Sequence, residues 1–202
     1  MIPRLFCLVS DERQISFAHH LVDAGIDGFQ VRAKQSSARD MTRMTRKLID
    51  EVRPRSIPVL VNDRLDVALA VDADGVHLGQ DDLAVAEARR LAPWMMIGAT
   101  CRTREDVVRA EGSGADYAGI GPLFPSTSKA DLPEPLGQQN LEPAVGVLPL
   151  IGIGGINQGR ASAVVNSGAH GIAVISAIWD APDPINAARD LAVALAKAQV
   201  IL

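Results

Sequence analysis

Eight short apolar runs, each separated from the next by an amphipathic or polar stretch, are the strongest constraint on how this chain folds. The runs are 5–9, 28–32, 58–61, 75–78, 95–99, 117–120, 148–153 and 171–175. Helical patterns fill the intervals at 16–24, 37–53, 65–70, 84–91, 103–113, 141–147, 160–167 and 185–199. Apolar runs alternating with helical segments predict βαβ units and a parallel sheet. Eight such units predict a closed (β/α)8 TIM barrel, an α/β fold with parallel strands, rather than an open sheet. The chain has 202 residues, below the ~250 typical of that fold, so a single barrel domain spanning 1–202 with short loops leaves no room for a second domain. Pairs such as Ala24-Gly25, Ala73-Asp74, Gly114-Ala115-Asp116 and Gly168-Ala169 recur just before strands and read as helix ends and tight turns at the stability face of the barrel.

Composition matters mainly for what it excludes. A net charge of −4 without basic blocks argues against a nucleic-acid partner. No apolar run has the length of a membrane span, and the N-terminal run reads as a first strand instead of a signal peptide. Two cysteines, Cys7 and Cys101, make no disulfide framework and read as reduced core thiols, which gives the cytoplasm as the default compartment.

Activity in such a barrel sits at the C-terminal ends of the strands, and the polar residues there are rich. Gln30, Arg32 and Lys34 alternate after the second run, so an extended backbone places them on one face. Two cations and an amide facing inward are costly to bury without an anion. Asn62-Asp63-Arg64 follows the third run, and Asp81-Asp82 follows the fourth. Asp63 and Asp82 could share one hard cation, since magnesium takes one or two carboxylates and completes its shell with water and substrate phosphate. The competing readings are Asp63 as a helix cap and the Asp81-Asp82 pair as first-turn acids. His77 reads as a barrel-interior residue more readily than as a metal ligand. Thr100 offers a hydroxyl after the fifth run, or else caps the next helix. The sixth run breaks at Gly121-Pro122 and leads into Ser126-Thr127-Ser128-Lys129, two hydroxyls at i, i+2 and an ammonium suited to phosphate. The irregular stretch 131–137 is a candidate active-site loop. Gly154-Gly155 after the seventh run and Ile175-Ser176 after the eighth stand where barrels commonly bind phosphate through backbone amides. The residues thus propose two anion sites, one basic and metal-assisted, the other built of amides and hydroxyls.

The ordered set of motifs resembles the thiamine phosphate synthase family. The matching segments are Gln-x-Arg-x-Lys at 30–34, Asn62-Asp63-Arg64, Gly-Val-His-Leu-Gly-Gln-x-Asp at 75–82, Gly-x-Thr at 98–100, Gly-x-Gly-Pro-x-Phe-Pro-Ser-x-Ser-Lys at 119–129, Ile-Gly-Gly-Ile at 153–156 and Val-Ile-Ser-Ala-Ile at 174–178. The resemblance implies that Gln30, Arg32, Lys34, Asn62, Thr100 and Lys129 bind a pyrimidine diphosphate, with Arg32, Lys34 and Lys129 as the catalytic cations. It implies Mg2+ on Asp63 and Asp82, and a thiazole phosphate bound by Ser126, Thr127, Ser128, Gly155, Ile175 and Ser176. The chain departs from the family pattern where Ser126 and Ser128 replace the usual Thr, Thr100 replaces the usual Ser, and Ala33 replaces a residue that is often acidic. The expected partners are these two small-molecule substrates. A homo-oligomer is compatible with the sequence, which does not fix the oligomeric state. The rival readings are a thiazole tautomerase of the same superfamily, which would not need the full diphosphate and metal set, and a non-catalytic binder of thiamine precursors.

Overall fold

The strands form where apolar residues are buried on both faces. In a computed structural model, which describes residues 1–125 and 133–198, β1 is Leu5–Val9, β2 Gly28–Val31, β3 Val59–Asn62, β4 Gly75–Leu78, β5 Met96–Cys101, β6 Tyr117–Ile120, β7 Leu150–Ile153 and β8 Gly171–Val174. All eight are parallel and close into one barrel in chain order, β8 pairing back on β1 through Leu5↔Ile172, Phe6↔Ala173 and Cys7↔Val174. The helices are α1 Glu12–Ile15, α2 Ala18–Asp23, α3 Ala38–Val52, α4 Leu65–Ala70, α5 Val85–Leu91, α6 Arg104–Gly112, α7 Gln158–Asn166, α8 Ser176–Trp179 and α9 Pro184–Lys197.

The helices show the expected local causes. In α3, Met41, Met44, Thr45, Leu48, Ile49 and Val52 are buried at helical spacing, and Ser37 caps the first turn by accepting from the Asp40 N–H at 3.1 Å. Thr103 and Asp106 form a reciprocal capping box at the start of α6. One expectation fails. Residues 141–147 form no α-helix; they contain the 3-10 turn Glu142–Ala144, preceded by another at Gln138–Asn140. The helical turn does not continue because Gly146 (φ 83°) takes a left-handed backbone that an α-helix does not pass through. The helix expected near 16–24 is α2, and the short α1 precedes it as an additional turn.

Burial divides into two layers. A large cluster lies between strands and helices and includes Cys7, Val9, Phe29, Val31, Val61, Val76 and Ile97. A smaller one fills the barrel interior with Phe6, Leu8, Leu60, Tyr117, Ile151 and Ala173. Inter-strand register carries the inward set round the barrel: Leu8 pairs with Gln30, Gln30 with Leu60, Asn62 with His77, and Thr100 with Gly119.

At the opposite end, one device recurs. An aspartate just before an even-numbered strand accepts hydrogen bonds from the first N–H groups of the preceding odd strand. Asp27 accepts from Arg4 and Leu5 N–H (2.9 and 2.7 Å), Asp74 from Val59 N–H (2.8 Å) and Asp116 from Ile97 N–H (2.7 Å). Two of the segments read from sequence as turn elements, Ala73-Asp74 and Gly114-Ala115-Asp116, therefore hold strand starts. Gly114 (φ 93°) supplies the left-handed turn that brings Asp116 into place.

The excursion between β6 and β7 is closed at its base. Leu123 and Phe124 N–H donate to Ile153 and Gly154 O, extending the ladder beyond β6. On return, Leu136 and Gly137 N–H donate to Pro122 and Leu123 O at 2.8 and 2.9 Å. Arg102 bridges the outgoing and returning chain, donating to Gly121 O (3.4 Å) and Glu134 O (2.9 Å).

Candidate active site

The strands' C-terminal ends gather those residues singled out above that the structure describes. Gln30 and Asn62 project into the barrel at 5% and 6% exposure, and neither side chain has a hydrogen-bond partner among the described residues. Buried amides are normally satisfied, so two such amides at the mouth of the barrel call for a polar ligand.

Arg32 continues the inward direction of β2, its own N–H donating to Val9 O at 2.7 Å. Partial burial lowers its pKa, an effect opposed by the nearby Asp63 carboxylate, and it forms no ion pair among the described residues. A partly desolvated, unpaired guanidinium is an anion site in waiting. Lys34 stands in the turn that follows, exposed, with Nζ 3.2 Å from Asp63 Oδ2. Ala33, between them, points into the outer core at 4% exposure, so the alternation predicted for 30–34 persists past the strand's end.

Asp63 does not cap α4. Its backbone is left-handed (φ 65°), its N–H donates to His77 O, and its carboxylate turns toward Lys34 and Asp82. Asp82 accepts from Gly79 N–H at 2.6 Å, while Asp81 is exposed. Desolvation, reinforced by the adjoining Asp63 carboxyl, raises the Asp82 pKa. Two carboxylates this close repel unless a cation or proton lies between them. The donor set therefore fits magnesium, which takes one or two carboxylates and leaves room for water and phosphate. Among the described residues no cluster of three or more His, Cys, Asp or Glu has metal-binding geometry.

His77 lies inside the barrel. Its Nδ1 is 3.0 Å from Tyr117 Oη and its Nε2 is 3.0 Å from Thr100 Oγ1. Burial lowers its pKa to about 4, the leading cause being desolvation. Thr100 is thus an interior residue, and Thr103 is the helix cap. Tyr117 stacks between Phe6 and His77, with ring centroids 5.8 and 5.6 Å away. The space for it comes from Gly98, where a Cβ would fall 2.1 Å from Tyr117 Cζ. Sequence reasoning missed Tyr117, because an aromatic inside an apolar run reads as core.

Across the mouth, Gly155 (φ 63°) passes so close to the chain leaving β6 that a Cβ would sit 2.4 Å from Pro125 O. Arg160, also missed, stacks over the Phe124 ring at 4.6 Å and donates to Gly155 O at 2.6 Å, holding that turn. Ile175 and Ser176 begin α8 directly after β8, and Trp179 Nε1 ties that helix to Leu8 O at 2.7 Å. Ser126, Thr127, Ser128 and Lys129 lie outside the described residues, as do Asp131 and Leu132 of the candidate loop. Within that loop, Leu136 and Gly137 are fixed by the paired stem.

Residues 6–178 match the family model described as thiamine monophosphate synthase. A thiamine-phosphate synthase of Chlorobium luteolum is 43% identical over 192 residues, covering 93% of this chain and 91% of that protein. One from Chloroflexus aurantiacus is 44% identical over 178 residues, covering 85% and 82%. Among solved structures, a thiamine phosphate pyrophosphorylase from Pyrococcus furiosus superimposes with a TM-score of 0.86 at 34% identity, covering 96% of both chains. A 3-hexulose-6-phosphate synthase superimposes with a TM-score of 0.77 at 17% identity, a likeness of fold alone.

Proposed function

The chain belongs to the thiamine monophosphate synthase family, and on that premise we propose that it condenses 4-amino-2-methyl-5-hydroxymethylpyrimidine diphosphate with 4-methyl-5-(2-hydroxyethyl)thiazole phosphate, giving thiamine phosphate and diphosphate. The observation that carries the reading is the convergence of Gln30, Arg32, Lys34, Asn62, Asp63, Asp82 and Thr100 on one barrel mouth, with two buried amides that have no hydrogen-bond partner and a guanidinium that has no ion pair among the described residues. Gln30 and Asn62 would bind and orient the pyrimidine diphosphate. Gly155, Ile175 and Ser176 would hold the thiazole phosphate through backbone amides, with Ser126, Thr127 and Ser128 adding hydroxyls.

The reaction is a substitution at the pyrimidine methylene. The C–O bond to diphosphate breaks and the leaving group keeps the electron pair. The thiazole nitrogen lone pair then forms the new C–N bond, and no proton has to move. The chain's task is to stabilise charge growing on the departing diphosphate. Arg32 and Lys34 supply preorganised positive charge for it, the type of contribution that usually dominates, and Lys129 would add a further cation. A magnesium ion held by Asp63 and Asp82 would add Lewis-acid stabilisation at the same oxygens. His77, held between Tyr117 and Thr100, is not needed as a base.

The test is diphosphate release from the purified full chain mixed with both precursors, with and without magnesium. Release that requires both precursors and the metal, with thiamine phosphate formed in equal amount, is expected. Lys129→Ala should lower turnover a few hundredfold, or about 3–4 kcal/mol of barrier. Metal-independent turnover would remove Asp63 and Asp82 from their assigned role, and no release from folded protein would overturn the reading.

A further inference from the structure

The interior chain Tyr117–His77–Thr100 can be read for the direction of its protons. Tyr117 is the single tyrosine of the sequence and is 3% exposed. Among the described residues, its hydroxyl has one hydrogen-bond partner, His77 Nδ1. A buried hydroxyl proton needs an acceptor, so the phenol donates and Nδ1 must be bare. A neutral imidazole then carries its proton on Nε2 and donates to Thr100 Oγ1. The opposite tautomer, or an imidazolium, would donate from Nδ1 and leave the phenol proton with no acceptor. Thr100 Oγ1 therefore accepts from within the barrel, and its own proton has no acceptor among the described residues.

We propose that Tyr117 and His77 are positioning residues that fix the Thr100 hydroxyl as a donor toward an anion at the barrel mouth. In the reversed chain Thr100 would give its proton to His77 and turn only lone pairs toward an oxyanion, which repels it. The anion is a diphosphate group, a statement that rests on the substrate reading above. Rigidity comes with the polarity. The Tyr117 ring is clasped between Phe6 and His77, and Gly98 and Gly119 leave no room for a side chain that would not displace Tyr117 or His77.

Two measurements on the full chain test this. The first is the nitrogen NMR spectrum of histidine-labelled protein, which distinguishes a protonated from a bare ring nitrogen. The His77 ring should carry its proton on Nε2 in the wild type and lose that fixed preference in Tyr117→Phe, a change that keeps the ring stack. A proton on Nδ1 in the wild type overturns the proposal. The second is calorimetric titration with inorganic diphosphate and magnesium. Tyr117→Phe should weaken binding about three- to tenfold in the wild-type background and have no further effect in Thr100→Val, whereas Thr100→Ser should preserve the coupling. Equal weakening in both backgrounds would mean that Tyr117 acts through packing, which also overturns the proposal. If wild-type protein binds no diphosphate, the substrate reading falls, and the spectrum alone then decides which way the chain of hydrogen bonds runs.

Discussion

Gly155 combines two constraints that a side chain would violate. Its φ of 63° is one that L-residues rarely adopt, and a Cβ would meet Pro125 O at 2.4 Å and the Phe124 side chain at 2.9 Å. Strained backbone of this sort costs on the order of 1–3 kcal/mol. Gly155→Ala is expected to push the turn away from the β6 exit and raise KM for the thiazole phosphate at least tenfold, while KM for the pyrimidine diphosphate changes less. Steady-state kinetics with each substrate varied in turn would show this, and an unchanged thiazole KM would remove Gly155 from that subsite. The placement of individual residues was legible in sequence where burial makes them expensive. Arg32 and Gln30 on an inward face have no purpose in a core, and among the described residues Arg32 makes no ion pair and the Gln30 amide no hydrogen bond. Asp63 and Asp82 were legible as a pair because each follows a strand, and they do meet. Tyr117 was not legible, since its meaning depends on His77, forty positions away in sequence, and on the absence of side chains at Gly98 and Gly119. Arg160 escaped for a similar reason: in the first turn of α7 an arginine reads as solvated, until Phe124 is found beneath it.

At the scale of elements, the strands were the most readable part. β1, β4 and β6 coincide with the runs at 5–9, 75–78 and 117–120, because strands buried on both faces must be apolar without interruption. Ends shifted by one or two residues where a polar residue such as Asn62 or Thr100 continues the ladder into the site. The helix expected at 141–147 failed because apolar spacing alone does not weigh Gly146, whose φ of 83° ends any helical turn there. The aspartates before β2, β4 and β6 supply an element-level prediction. Asp74→Ala leaves the first N–H of β3 without its acceptor and should destabilise the protein by about 1–2 kcal/mol. Catalysis should be nearly untouched, since the change lies at the far end of the barrel. Chemical denaturation paired with turnover checks both halves. A loss of activity larger than the loss of folded protein would show that the base of the barrel communicates with its mouth.

For the whole molecule, closure of the barrel controls access to both thiols. Cys7 and Cys101 are free and buried. Desolvation raises the Cys101 pKa from 9.0 to about 12, and that of Cys7 is raised also. Thiolates are the reactive form, so neither cysteine should react with a disulfide reagent near neutral pH until the barrel opens, and the labelling rate should follow global unfolding in denaturant. The same shift predicts stability that is intact below about pH 9 and falls as pH climbs toward 12, because the unfolded thiol ionises first. Rapid labelling of folded protein would contradict this. Eight repeats were enough to anticipate a closed sheet; the paired stem after β6 was beyond reach, because it rests on main-chain hydrogen bonds that no side-chain pattern encodes. That stem has an evolutionary consequence. Because Arg102 and the pairing of Leu136 and Gly137 with Pro122 and Leu123 shut the excursion at its root, the stretch beyond it can change in length or composition without shifting the register of β6 or β7. Lengthening such a loop twofold costs only about 0.6 kcal/mol. Ser126 and Ser128, two of the positions where this chain departs from its family's usual residues, fall inside that stretch. Sequence change there therefore carries little hazard to folding.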